Sequence, residues 1–131
     1  RIMKKVYWMG SSQKEIRSFP REVRQEIGFS IEIAQNGRKA LNAVPLVGFN
    51  GAGVLEVISN GEGGTFRTVY TVRFDDVIYV LHAFQKKSKT GIATSKKDIN
   101  LIKERLATAE QHYKEMQKVR IAEKKNVGTD G

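Results

Sequence analysis

The sequence predicts an α+β domain: a small twisted antiparallel sheet, an N-terminal helical hairpin and a C-terminal helix, in the order β-α-α-β-β-β-α. Three observations carry this. Residues 54–85 form three β-rich runs broken only by short turns, the pattern of a meander. Residues 21–35 repeat apolar residues at helical spacing and stop at Asn36-Gly37. Ile99, Ile102, Leu106, Ala109 and Tyr113 form a second helical stripe. At 131 residues the length fits one domain that buries a core without staples.

The elements follow in order. Val6, Tyr7 and Trp8 make residues 4–9 a short first strand, broken by Gly10-Ser11-Ser12. Ser11 or Ser12 caps a short helix, with Glu15 near capping-box spacing, and Phe19-Pro20 ends it. Pro20 suits the first turn of the next helix, where its missing N–H costs nothing. That helix carries Val23, Ile27, Ser30, Ile31 and Ala34 on its apolar stripe. Residues 38–53 read as a loop, punctuated by Pro45, Gly48, Gly51 and Gly53, with Leu46, Val47 and Phe49 packing down. Strands are expected over 54–59, 65–74 and 77–85, with turns at 60–64 and at Asp75-Asp76. The last helix begins near Thr94 or Ser95, with Asp98 at its favourable end. Its stripe fades after Met116. The domain is therefore expected over 1–118, with 119–131 a frayed or disordered basic tail.

Composition narrows the partners. The formal net charge is +9, which favours nucleic acid, an anionic surface or an acidic protein. The chain has no cysteine, so disulfides and thiolate metal sites are excluded, and a reducing cytoplasm fits. No apolar run approaches the roughly 18 residues of a membrane span. RIMKKVYWMG has no long apolar segment after its charges, unlike a secretory signal.

Strand periodicity sorts the candidate residues. In FRTVYTVRF, Phe66, Thr68, Tyr70, Val72 and Phe74 share the more apolar face, expected toward the helices. Arg67, Val69, Thr71 and Arg73 share the other, expected to be open. In the next strand Val77, Tyr79, Leu81 and Ala83 oppose Ile78, Val80, His82, Phe84 and Lys86, so periodicity does not set Lys86 beside Arg67. That strand ends in a basic tract, Lys86, Lys87 and Lys89. Such cations either keep an edge soluble or present charge to an anion. His82, inside an apolar strand, reads first as a satisfied core residue and second as catalytic. His112 is expected to face solvent. Neither has neighbours at metal-ligand spacing. NGEGG (60–64) lacks a following GK[ST] and reads as a hairpin turn. Lys96, Lys97, Lys103 and Arg105 read as a solvated helix face.

FRTVYTV (66–72), VIYVLHAFQKKSKTG (77–91) and DINLIKERL (98–106) together resemble RelE/HigB-type toxins of type II toxin–antitoxin systems. Within them the chain is most similar to the phage-derived, Gp49-like branch of the RelE/ParE superfamily. FQKKSKT is the specific part of the likeness, R-x-x-Y is less so, and the helices are generic. The chain departs from the pattern in three places. Glu56 stands where a basic residue is common, KTG (89–91) replaces KTP, and Tyr113 lies too deep in the last helix to be the C-terminal tyrosine.

The resemblance implies a ribosome-dependent mRNA endoribonuclease that inhibits translation. Its implied partners are mRNA on the ribosome and a helix-turn-helix antitoxin, in a toxin–antitoxin hetero-oligomer. It implies that Arg67 meets the scissile phosphate region, that Lys86 stands at or beside the second active-site cation, and that Lys87 and Lys89 extend the cluster. Arg73 is a further RNA-binding candidate. RNA supplies its own 2′-hydroxyl nucleophile, so no cofactor or metal is called for. Arg67 and Lys86 would stabilise the charge of the transition state. A proton acceptor is still needed, and His82, Tyr70 or a lysine of lowered pKa are the candidates. Two alternatives stay open: a non-enzymatic ParE-like gyrase inhibitor, and a catalytically silent RNA- or ribosome-binding module.

Overall fold

The structure is a computed structural model that describes residues 3–49, 51–87 and 93–130, with side chains up to residue 126. Its elements are β1 (Lys5–Trp8), α1 (Ser12–Arg17), α2 (Arg21–Gln35), β2 (Ala43–Pro45), β3 (Val54–Gly61), β4 (Gly64–Thr71), β5 (Val77–Lys86) and α3 (Lys96–Asp130). The five strands form one sheet in the order β1-β5-β4-β3-β2. The expected α+β class holds, and β3, β4 and β5 are the antiparallel meander. The sheet is mixed rather than wholly antiparallel, because β1 runs parallel to β5. The short strand β2, inside the expected loop, adds the far edge.

One expectation fails. Helices cover both faces of the sheet, not one. Val23, Ile27, Ile31 and Ala34 of α2 pack with Leu55, Val57, Phe66, Tyr70, Ile78 and Val80 on the first face. Ile102, Leu106 and Ala109 of α3 pack with Val54, Val69, Val77, Tyr79 and Leu81 on the second. Both faces of the central strands are apolar, so two helical layers are needed to shield them from water.

The helix ends follow local chemistry. Ser95 caps α3: its Oγ accepts from the Asp98 backbone N–H and donates to the Asp98 carboxylate. Ser11 occupies the N-cap of α1 without a side-chain cap bond, and Ser12 Oγ instead reaches the Val80 carbonyl. The apolar stripe of α3 ends at Met116, as its sequence implies, yet the backbone stays helical to Asp130. Arg120 bonds to Asp76 along this extension, and Tyr113 donates to the same carboxylate at 3.0 Å.

Between β4 and β5 the register shifts. Val69 pairs with His82, but Tyr70 pairs with Val80, leaving Leu81 as an extra residue. This bulge reverses the alternation of β5. Before it, Val77, Tyr79 and Leu81 face α3. After it, His82, Phe84 and Lys86 face the same side, opposite Val69, Arg67 and Thr65.

Candidate functional site

The bulge assembles the candidate site. Arg67, His82 and Lys86 lie on one face of the β4–β5 hairpin, beside the N-terminus of α3. Simple alternation does not predict this, since it keeps Lys86 and Leu81 on opposite faces.

Arg67 is not open. It is only 6% exposed, and its Nη1 lies 3.4 Å from the Glu56 carboxylate on the neighbouring strand. Glu56 is itself 4% exposed. Thr94 Oγ1 completes the group, donating to Glu56 Oε2 at 2.8 Å and accepting from Arg67 Nη1 at 3.4 Å. The expected open face is closed here because the segment leading into α3 sits over it. These three residues line a cleft of about 380 Å³, with Val44, Pro45, Ile58 and Ile99 among its apolar walls.

His82 is buried and tied to α3. Its Nε2 is 2.8 Å from Asp98 Oδ1, and Nδ1 is 3.5 Å from Arg105 Nη1. Phe84 stacks on its ring at 4.8 Å. Burial alone would raise the Asp98 pKa. The hydrogen bonds from Ser95 and His82 outweigh it and hold the carboxyl below its usual value. Arg105 is not on a solvated face as its sequence position suggests. It is half-buried, donates to the Leu81 carbonyl at 2.9 Å, and lies across Gly10. Gly10 has φ of +51°, and a Cβ there would sit 2.5 Å from the Arg105 guanidinium. An unfavourable conformation for other residues thus coincides with a close approach.

Lys86 stands at the rim. Its Nζ donates to the Ala93 carbonyl at 3.4 Å and lies 5.9 Å above the Phe84 ring. Lys87 is exposed. Lys89 falls outside the described residues.

Two candidates lie elsewhere. Tyr70 faces α1 and α2, fully buried in the first core, with the sheet between it and Arg67. Its hydroxyl has no hydrogen-bond partner among the described residues, and burial pushes its pKa up to about 12. Arg73 follows the far end of β4 and pairs with Glu110 of α3 at 2.9 Å. The six residues from Arg67 span roughly 20 Å of extended chain. His112 is exposed as expected, but its Nδ1 is 2.6 Å from the Tyr79 hydroxyl. Burial lifts the Tyr79 pKa to about 12.

Reasoning from sequence missed Thr94, Asp98 and Arg105 as members of the group. Glu56 carried a signal, a carboxylate between Leu55 and Val57 in an apolar strand. Such a charge is retained in a core only when paired.

The mixed five-stranded sheet, the small N-terminal helices and the long C-terminal helix are consistent with a RelE-like fold, and the family whose profile the chain matches lies within the RelE/ParE-like toxin superfamily. More narrowly, the chain belongs to the family of phage-derived Gp49-like proteins, whose profile matches residues 14–107. The match spans the helical hairpin, the meander and the start of α3, and so contains every element of the candidate site. No curated protein and no solved structure matches the chain. Among the described residues no helix is long and apolar enough to cross a membrane.

Proposed function

We propose that the chain is the toxin of a toxin–antitoxin module and acts as a ribosome-dependent mRNA endoribonuclease. The observation that supports this best is the grouping of Arg67, His82 and Lys86 on one sheet face at the N-terminus of α3. A helix N-terminus and lysines at the rim favour an anionic ligand. In this reading the RNA's 2′-hydroxyl is the nucleophile and needs no metal. Lys86 and Lys87 stabilise the phosphate as it gains charge, by preorganised electrostatics. His82 is the candidate base that lies on the correct face. Donation of its Nε2–H to Asp98 leaves Nδ1 as the proton acceptor, the arrangement of a carboxylate-oriented general base. Arg105 lies nearest that nitrogen, so it must yield for the proton to pass. The ribosome supplies the orientation of the message. A helix-turn-helix antitoxin in a hetero-oligomer and a cytoplasmic setting complete the proposal.

The burial of Arg67 against Glu56 favours one second reading, an RNA- or ribosome-binding module without cleavage. Message 5′ ends mapped in a cell-free translation reaction separate the two. Cuts that require ribosomes and disappear with Lys86→Ala are expected. Intact messages in the presence of folded protein would sink the nuclease and leave the binding module. A block to gyrase instead of translation would move the assignment to the gyrase inhibitors.

A further inference from the structure

The cation in contact with the candidate base is Arg105 of α3, not Arg67, which bonds to Glu56 and Thr94. Arg105 is half-buried, and no carboxylate forms a salt bridge with it among the described residues. Its Nη1 donates to the Leu81 carbonyl at 2.9 Å and stands 3.5 Å from His82 Nδ1. We propose that Arg105 is a catalytic residue whose guanidinium binds the scissile phosphate beside His82. The proposal rests on the reading of the chain as a nuclease, and it adds a contact from α3 to the lysines of the rim.

A guanidinium carries five N–H donors in a planar fork. Leu81 and His82 engage Nη1 alone. Nε and Nη2 have no hydrogen-bond partner among the described residues, and neither is a buried atom sealed from water. These two nitrogens share one edge of the fork, suited to bidentate contact with a phosphate. Gly10 leaves room for the fork. A Cβ there would stand 2.5 Å from Cζ and Nη2 and 2.8 Å from Nε. In a near-attack phosphodiester the 2′-oxygen lies about 3–3.5 Å from phosphorus. A phosphate on the open edge therefore brings its 2′-hydroxyl within reach of Nδ1. The hydroxyl gives its proton to Nδ1, the O2′–P bond forms and the P–O5′ bond breaks. The leaving 5′-oxygen takes a proton from water, and His82 returns its proton to the hydroxide left behind. The products are a 2′,3′-cyclic phosphate and a 5′-hydroxyl. Arg105 holds the phosphate oxygens as their charge grows. The phosphate also draws the guanidinium off Nδ1, so the substrate itself frees the base. Lys86 approaches from the rim, four residues further along β5.

The experiment is single-turnover cleavage of a message on programmed ribosomes, with sulfur replacing either non-bridging oxygen at the cut. Wild type should cut one isomer about tenfold slower than the other, the cost of weakening one charge-assisted bond. Arg105→Gln should slow cleavage of the all-oxygen message by about 100-fold or more. It should also bring the two isomers within about twofold. Arg105→Lys keeps the charge but loses the fork, and should fall between. Gly10→Asn keeps every charge. Asn tolerates the left-handed backbone, and its Cβ displaces only the end of a flexible side chain. The fold should survive, and cleavage should drop as in Arg105→Lys. This variant decides the matter if Arg105→Gln fails to fold by circular dichroism. Cleavage within about twofold of wild type in folded Arg105→Gln or Gly10→Asn, or an isomer preference unchanged in Arg105→Gln, would overturn the proposal. Nitrogen-15 spectra of the arginine side chains separate this from the nuclease reading. Inorganic phosphate should move the Nε–H signal of Arg105 and leave that of Arg67 in place; the reverse would overturn the proposal. Intact messages together with the Arg105 shift would remove the nuclease and leave Arg105 as a phosphate contact. Cleavage with neither the shift nor any effect of the substitutions would do the opposite.

Discussion

Removing Arg67 is the obvious test of a toxin site, and the structure says that the single substitution confounds two effects. Arg67 and Glu56 are both buried and stand 3.4 Å apart. At an effective dielectric near 20, two unit charges at that separation attract by about 5 kcal/mol. Desolvation costs several kcal/mol per ion, so the intact pair contributes little net stability. Deleting one partner is different, because the other charge stays buried. Arg67→Met is therefore expected to destabilise the fold by about 3 kcal/mol, toward the lower end of the usual range because Thr94 still bonds to Glu56. Glu56→Leu should cost a similar amount, about 3 kcal/mol. The double variant should return to within about 1 kcal/mol of wild type, since apolar residues of similar size replace both charges. Urea unfolding followed by circular dichroism gives all three values and the coupling energy. If Arg67→Met costs less than 1 kcal/mol, or the double variant is no better than the singles, the buried pair is not the organising contact inferred here. A toxin that loses activity in Arg67→Met but keeps its stability would point back to a direct role of the arginine on phosphate.

Three further outcomes are expected. Tyr70→Phe removes a buried hydroxyl that has no partner among the described residues, so stability should be unchanged or rise by up to about 1 kcal/mol; message cleavage should persist, and its loss would restore Tyr70 as a catalytic group. Asp98 binds its proton less readily folded than unfolded, so the unfolded state holds more protons as pH falls below the usual carboxylate value. The stability Asp98 contributes is present above that value and lost through its lower folded pKa; an acid titration of Asp98→Asn should show a shallower decline than wild type, and parallel curves would refute the linkage. Gly64 has φ of +129°, and a Cβ there would sit 2.1 Å from the Lys86 carbonyl oxygen. Gly64→Ala should therefore cost about 2–3 kcal/mol and disturb the Lys86 rim; an unchanged melting temperature would contradict that geometry.

The class and the meander were legible because β-rich runs and short turns are local signals. The helix α2 was legible to the residue, since its apolar stripe, Pro20 and Asn36-Gly37 all agree. The second helical layer was harder to see. Arg67 and Arg73 suggested a wet face, but Val54, Val69, Val77, Tyr79 and Leu81 make the same face apolar at its centre. The signal was VIYVLHAF (77–84), a nearly continuous apolar run, which marks a strand buried on both sides. The polar contacts of Thr94, Asp98 and Arg105 were not legible, because they depend on where α3 lands on the sheet. Tyr70 was drawn into the site by its place in an R-x-x-Y pattern, although three positions along a strand put two side chains on opposite faces.

The bulge at Leu81 decides how a hydrophobic strand comes to hold polar residues. A regular β5 with Leu81 facing α3 sends His82, Phe84 and Lys86 toward the helical hairpin, into a core of Phe66, Tyr70 and Ile27. Burying a lysine and a histidine there without partners is costly. One extra residue moves all three to the side where Asp98, Thr94 and the α3 N-terminus supply hydrogen bonds and favourable charge. It also sends Ala83, a small residue, into the first core in their place. Core packing and site assembly therefore choose the same register. Lys86 is held by a strand whose irregularity is itself required by burial, and this gives it a fixed position relative to the cleft lined by Glu56 and Arg67.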